Sequence, residues 1–213
     1  MTSQVRAAVF RPDDERIDDA VTLLESLGAT PVADPMLAVE PTGATPAPAD
    51  WTVLTSKTGV ELAAEAGWRP TDTRLACIGP ATADAARAEG WDVDLIPEEY
   101  SSAGLVDALT AAVAGEASVG VARSDHGSAV LLDGLREAGI ETTETVLYRL
   151  VRPEGAGEST TRAAAGELEA ALFTSSLTVE HFLDAAADRD VRSAAVDGLA
   201  DAVVGCIGEP TAA

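Results

Sequence analysis

Apolar positions along this chain keep two rhythms, and each rhythm occurs twice. Residues 5–10 form a short, mostly apolar run, followed by Arg11-Pro12. Ile17, Ala20, Val21, Leu24 and Leu27 then keep helical spacing until Gly28. The echo is the run 119–122, then Arg123-Ser124, then Val130, Leu131, Leu135 and Ala138 at helical spacing until Gly139. Each unit predicts a strand and a helix, and each leads into an extended segment, 30–41 and 141–153. Beyond these lie Leu54-Thr55-Ser56-Lys57 running into Val60-Glu61, and Phe173-Thr174-Ser175-Ser176 running into Val179-Glu180. A further strand reads Cys77-Ile78-Gly79-Pro80-Ala81-Thr82-Ala83 in one copy and Cys206-Ile207-Gly208-Glu209-Pro210-Thr211-Ala212 in the other, identical at five of seven positions. Strands that end in Gly or Thr-Ser and open a helix, in the same order twice, predict duplicated α/β domains facing one another across a cleft.

The copies differ by insertions. Residues 152–169, with Gly155, Gly157 and Gly166, read as a surface linker continuing into a short helix, and a helix-like turn is added at 191–199. After Thr82 the first copy continues with a helix to Glu89, a strand at 93–97 and a helix from Ser101 to about Val113. The second copy stops at Ala213, so about 30 residues of the repeat have no counterpart and a continuing natural chain is expected.

Composition narrows the partners. Among 213 residues, 36 are acidic and 14 basic, giving a net charge of -22, and Lys57 is the one lysine. With no basic run, nucleic acid and anionic membrane surfaces are disfavoured. Many carboxylates with almost no lysine resemble the proteins of halophilic archaea, where salt screens self-repulsion; full stability without added salt would count against that reading. No signal-peptide pattern opens the chain, and charges or Gly/Pro interrupt each apolar run before about 18 residues, so a cytoplasmic monomer is expected. Cys77 and Cys206 hold equivalent places in different copies and form no CxxC, which disfavours disulfide and metal roles. The glycines fit neither a dinucleotide fingerprint nor a Walker loop.

Strand-to-helix turns present unpaired backbone N–H groups at one sheet edge, where anionic groups bind. The candidate binding residues are therefore Arg11, Thr55, Ser56, Lys57, Gly79, Pro80, Thr82, Ser101, Arg123, Ser124, Thr174, Ser175, Ser176, Gly208 and Thr211, against plain helix capping as the bland alternative. Aligning Gly28 with Gly139 sets Leu37 opposite Tyr148, so the phenol belongs to one copy alone, on a segment that crosses between domains. A half-buried structural aromatic is the competing reading. His126 and His181 lack metal-ligand spacing, and Trp51, Trp68 and Trp91 read as packing. Asp13, Asp14 and Glu15 suit the positive end of the helix that follows.

Taken together, Leu75-Ala76-Cys77-Ile78-Gly79-Pro80-Ala81-Thr82-Ala83, Gly90, Leu95-Ile96-Pro97-Glu98-Glu99-Tyr100 and Gly104-Leu105 resemble the uroporphyrinogen-III synthase family. So do Leu54-Thr55-Ser56, Leu147-Tyr148-Arg149 and Phe173-Thr174-Ser175-Ser176. Glu209 departs from the pattern where the first copy has Pro80. The resemblance spans essentially the whole chain and implies two similar flavodoxin-like parallel-sheet domains joined by two extended strands. One would combine 1–33 with 151–213 and the other would run 40–146, with crossovers at 34–39 and 147–150. It further implies cyclisation of hydroxymethylbilane to uroporphyrinogen III, with loss of water and inversion of ring D, and with neither metal nor organic cofactor. Tyr148 is then the candidate to assist departure of the hydroxyl. A non-catalytic two-lobed binding protein for a small anion is the alternative, and it predicts binding without turnover.

Overall fold

A computed structural model of the chain describes residues 5–12 and 14–212. The elements follow one another as β1 (Arg6–Phe10), α1 (Glu15–Ser26), β2 (Thr30–Ala33), β3 (Ala38–Pro41), β4 (Trp51–Leu54), α2 (Lys57–Glu65), β5 (Arg74–Cys77), α3 (Pro80–Ala88) and α4 (Ser102–Ala112). After them come β6 (Val119–Ser124), α5 (Ala129–Glu137), β7 (Thr142–Val151), α6 (Glu158–Ala164), β8 (Ala170–Phe173), α7 (Ser176–Asp188), α8 (Arg192–Ala200), β9 (Val203–Cys206) and α9 (Glu209–Ala212). Two compact units result: Met1–Val39 with Val151–Ala213, and Glu40–Leu150. The chain changes unit within β3 and again at the end of β7.

The first unit is built on a four-stranded sheet in the order β2-β1-β8-β9, and the second on a five-stranded sheet in the order β3-β7-β6-β4-β5. The pairs β1 with β2, β1 with β8 and β8 with β9 are parallel, as are β6 with β7, β4 with β6 and β4 with β5. Equating β1 with β6, β2 with β7, β8 with β4 and β9 with β5 makes the two orders the same. This is the repeat that the sequence shows, now in space. Counted along the chain the first unit's order is 2-1-3-4, flavodoxin-like, and the second unit repeats it as a circular permutation with β3 added beside β7; the topological switch point lies between β1 and β8 and between β6 and β4.

Parallel strands covered on both faces should be continuously apolar, and β4 (Trp51–Leu54) is buried at every position. In the first unit Phe10 stacks on Phe173 at 4.5 Å between ring centroids and meets Phe182 at 5.2 Å. In the second, Leu54, Val60, Cys77 and Leu147 fill one cluster, while Val53, Leu105, Val121 and Leu131 belong to another. The predicted glycine helix ends are real: Gly28 has φ 82° and Gly139 φ 78°, a left-handed conformation that closes a helix most cheaply at glycine.

Two expectations change. The strand expected at 93–97 reduces to a single bridge, Ala76 with Leu95. The Leu75 amide donates to the Asp94 carboxylate at 2.8 Å rather than to a backbone carbonyl, and Pro97 has no N–H to continue a ladder. The segment 152–169 does continue into a short helix, α6, but that helix is not at the surface: its Ser159, Thr160 and Ala163 are buried. What draws it inward is Asp34, only 4% exposed, whose carboxylate accepts from the amides of Gly157 at 2.8 Å and Ser159 at 2.9 Å and from the Ser159 hydroxyl. The insertion at 191–199 does form a helix, α8. At the sheet edges, Leu95 lies against β5, while on β9 Val203 is 70% exposed.

Candidate functional site

In the second unit, Leu54 is in register with Ala122 and with Cys77, so the turns after β4, β5 and β6 share one edge. Tyr148 joins them, because β7 pairs Ser124 with Tyr148 after a register shift at Arg123/Ser124. The edge therefore gathers Thr55, Ser56, Gly79, Ser124 and Tyr148 around the carboxyl ends of β4 and β6, where folds of this order bind ligands.

Ser56 caps α2. Its hydroxyl oxygen accepts from the Gly59 amide at 2.9 Å and lies 2.9 Å from the Tyr148 hydroxyl. Tyr148 is 7% exposed, its ring in the cluster with Leu54 and Leu147. A buried phenol of this kind keeps its hydroxyl in one place, which a catalytic proton donor requires. Lys57, the first residue of α2, is exposed and pairs with Glu61 at 3.3 Å. Gly79 caps α3 with extended backbone, Pro80 fills the first helical position, and Thr82 is buried within the first turn. Proline there surrenders an N–H that the helix would leave unbonded anyway. Tyr100, which sequence patterning leaves out of the site, rests over Gly79: a Cβ at that glycine would meet its Cβ at 3.4 Å. Ser101 caps α4 by accepting from Gly104 at 3.0 Å and donates to Glu99 at 2.8 Å.

Arg123 is placed differently from a free anion donor. It is 6% exposed and its Nε donates to Glu144 at 2.6 Å, while another guanidinium nitrogen donates to the Ser128 carbonyl. Gly127 makes the room, since a Cβ there would stand 2.5 Å from Arg123 Cδ. Arg123 thereby ties β6 to β7 and to the start of α5. Cys77, at the end of β5, is inert as a nucleophile: burial pushes its thiol up to about 12.

The first unit carries the matching edge. Phe10, Phe173 and Cys206 are in register, followed by Arg11, Thr174-Ser175 and Ile207-Gly208. Thr174 donates its hydroxyl to the Phe10 carbonyl at 2.9 Å, across the switch point of this sheet. Ser175 caps α7 in a capping box, accepting from the Thr178 amide at 3.2 Å, and Ser176 begins the helix. Among the described residues, the buried Nε of Arg11 has no hydrogen-bond partner. Gly208 is exposed, and its carbonyl accepts from the Thr211 amide at 3.0 Å. Where the second unit has Tyr148, this one has Leu37, bridged to Pro12. His181 bonds the Met36 carbonyl and His126 bonds Asp125, so both histidines have local structural partners. Of the acidic stretch ahead of α1, Asp14 is the cap, accepting from the Arg16 amide at 3.0 Å, while Asp13 lies outside the described residues. Among the described residues no group of three or more His, Cys, Asp or Glu could hold a metal ion, and no helix is long and apolar enough to cross a membrane.

A family model described as uroporphyrinogen-III synthase HemD matches residues 18–213. The chain belongs to the uroporphyrinogen-III synthase family. A putative uroporphyrinogen-III synthase of Methanothermobacter thermautotrophicus is 33% identical over 220 residues, an alignment covering 96% of this chain and 86% of that protein. The fold is that of uroporphyrinogen III synthase from the extremely thermophilic bacterium Thermus thermophilus: one crystal form aligns over 98% of this chain and 86% of that one with a TM-score of 0.65 at 21% identity. A second crystal form, covering the same shares, gives 0.50 at 22% identity.

Proposed function

We propose that this chain cyclises hydroxymethylbilane to uroporphyrinogen III, a lyase step of tetrapyrrole biosynthesis that releases one water and inverts ring D. The observation that carries the reading is the Tyr148 hydroxyl, fixed 2.9 Å from Ser56 at the switch point of the second unit in a member of this family. The hydroxymethyl oxygen of the substrate leaves with the electron pair of its bond to carbon and takes up a proton. The adjacent pyrrole nitrogen supplies electrons, leaving an azafulvene. For the inverting closure, the azafulvene carbon bonds to the α-carbon of ring D that already carries the bridge to ring C, and the older bond from that α-carbon to the bridge breaks. The freed bridge carbon bonds to the other α-carbon of ring D, which loses its proton, so substrate equals product plus water. Tyr148 donates a proton or hydrogen bond to the departing oxygen, a kind of assistance worth about 10²–10⁴-fold.

The azafulvene closes readily without inversion, so the remaining task is to hold the chain curled for the inverting closure. The substrate's carboxylates meet donors on the edge that carries Tyr148: amides in the first turns of α2 and α3, the Thr55 hydroxyl and the Lys57 ammonium. The net charge of -22 repels such a substrate at long range, and salt screens this repulsion more than it weakens close hydrogen bonds. The test is incubation of the protein with freshly prepared hydroxymethylbilane in high salt, followed by separation of the type I and type III products. Predominant type III product is expected; type I alone would overturn the assignment.

A further inference from the structure

The duplication supplies an internal comparison. Ser56 and Ser175 hold the same place in the two units, each capping a helix by accepting an amide three residues on, Gly59 in one and Thr178 in the other. In the first unit Thr178 completes a capping box with its own hydroxyl, and Leu37 stands opposite. In the second unit both positions differ together: Gly59 has no side chain, and Tyr148 replaces leucine and reaches the capping serine. A Cβ at Gly59 would lie 3.1 Å from Ser56 Oγ and 3.5 Å from Leu147 Cδ1, so the glycine lets the first turn of α2 close onto the strand that carries Tyr148.

A serine hydroxyl has one hydrogen to give and two lone pairs. The Gly59 amide occupies one lone pair of Ser56, which leaves two ways to make the bond to Tyr148. If Tyr148 donated, its proton would point into the protein and could not assist a leaving group. If Ser56 donates, the phenol oxygen faces the positive end of α2 and its O–H points away. The field at a helix N-terminus favours the second arrangement, because the negative end of the phenol dipole then lies nearest the partial positive charge. Donation from Gly59 into Ser56 also strengthens Ser56 as a donor, and that in turn strengthens Tyr148.

We infer that Ser56 is a positioning residue for the cyclisation, directing the Tyr148 hydroxyl hydrogen outward through the relay Gly59 N–H to Ser56 O–H to Tyr148 O–H. This rests on the synthase reading above, and it moves Ser56 from substrate ligand to orienter of the donor.

The test compares Ser56→Gly, Ser56→Thr, Tyr148→Phe and the Ser56→Gly/Tyr148→Phe double variant. Glycine remains an acceptable N-cap, so Ser56→Gly should melt within a few degrees of wild type. Its kcat should fall about three- to tenfold, the kinetic equivalent of one neutral hydrogen bond, with KM nearly unchanged and a larger share of type I product. Ser56→Thr should restore kcat. The double variant should match Tyr148→Phe within about twofold, since the relay has no end once the phenol is gone. A rise in KM instead of a fall in kcat, or the same fractional loss with and without the phenol, would overturn the inference. Independently of turnover, the labelled Tyr148 Cζ resonance should shift in Ser56→Gly and return in Ser56→Thr. An unmoved resonance would also overturn it. Wild-type protein yielding type I product alone would overturn the function while leaving this spectroscopic test in force.

Discussion

Asp34 offers the sharpest test of what holds the first unit together. That unit is discontinuous, and Asp34 near the end of its first piece binds the start of α6 in its second. Gly157, the N-cap of α6, sits at φ 106° and has no side chain to cap with, so a carboxylate from 123 residues away takes that role. Asp34→Ala removes three hydrogen bonds to an ionised acceptor and strands the Ser159 amide on a residue that is fully buried. Charge-assisted bonds contribute about 1.5–3 kcal/mol each, and a stranded buried donor costs about 1–3. The three share one anchor and do not add, so the expected loss is about 3–4 kcal/mol. For a unit of roughly 100 residues this lowers Tm by about 15 °C or more. Asp34→Asn keeps one acceptor and sets its amide against a donor, for a loss of about 2 kcal/mol. Urea melts, with amide exchange at Ser159 and Thr160, measure both. A loss under about 1 kcal/mol in Asp34→Ala would refute the clasp.

Gly198 lies in α8 where a Cβ would stand 1.8 Å from the Ala163 carbonyl oxygen of α6, a backbone atom that cannot rotate aside. Helix propensity alone favours Gly198→Ala by about 1 kcal/mol; the clash should reverse the sign, for a net loss of about 2 kcal/mol by urea melting, and an unchanged or stabilised variant would refute that packing. Arg6 grips Glu169 through its guanidinium at 2.8 Å and 3.1 Å and its amide at 2.7 Å, and these hydrogen bonds hold the Glu169 carboxyl down at about 2, against an ordinary 4.5. Because the folded value is depressed, the pair stabilises fully above about pH 4.5 and loses this as pH falls toward 2. Glu169→Gln should therefore be less stable than wild type at pH 7, with the gap shrinking through that window; a gap independent of pH would refute the assignment.

Local patterns carried the fold in the sequence. The run 5–10 and its echo at 119–122 became β1 and β6, Gly28 and Gly139 became left-handed helix ends, and the order of elements gave the repeat. These follow from φ/ψ preference and burial, which neighbouring residues decide. Pairings across the chain were not legible in the same way. Arg123 at a strand end reads as an anion donor, and only the fold brings Glu144 to it and removes the Cβ of Gly127 from its path. In a chain with 36 acidic residues, any arginine has many possible partners and the sequence names none. Asp34 escaped for the opposite reason, since it lies in the segment 30–41 that reads as extended and its partners lie beyond residue 150.

The candidate site was legible to the extent that the two copies disagree. Features held in both units, the capping serines and the Gly or Thr-Ser turns, are what this sheet order needs in order to start helices at its carboxyl edge, so their presence twice argues for architecture before chemistry. Chemistry must break that symmetry, because a reaction that needs one proton at one oxygen needs one donor. Tyr148 against Leu37 is such a break, and the sequence shows it. Gly59 against Thr178 is a second break beside it: a Cβ at 59 would lie 3.1 Å from the hydroxyl oxygen of the serine that holds the phenol. Gly59→Thr should lower kcat in the cyclisation assay while Ser56 still caps α2, because it rebuilds the first unit's capping box on the serine that the phenol needs; an undiminished kcat would break the link between the two differences.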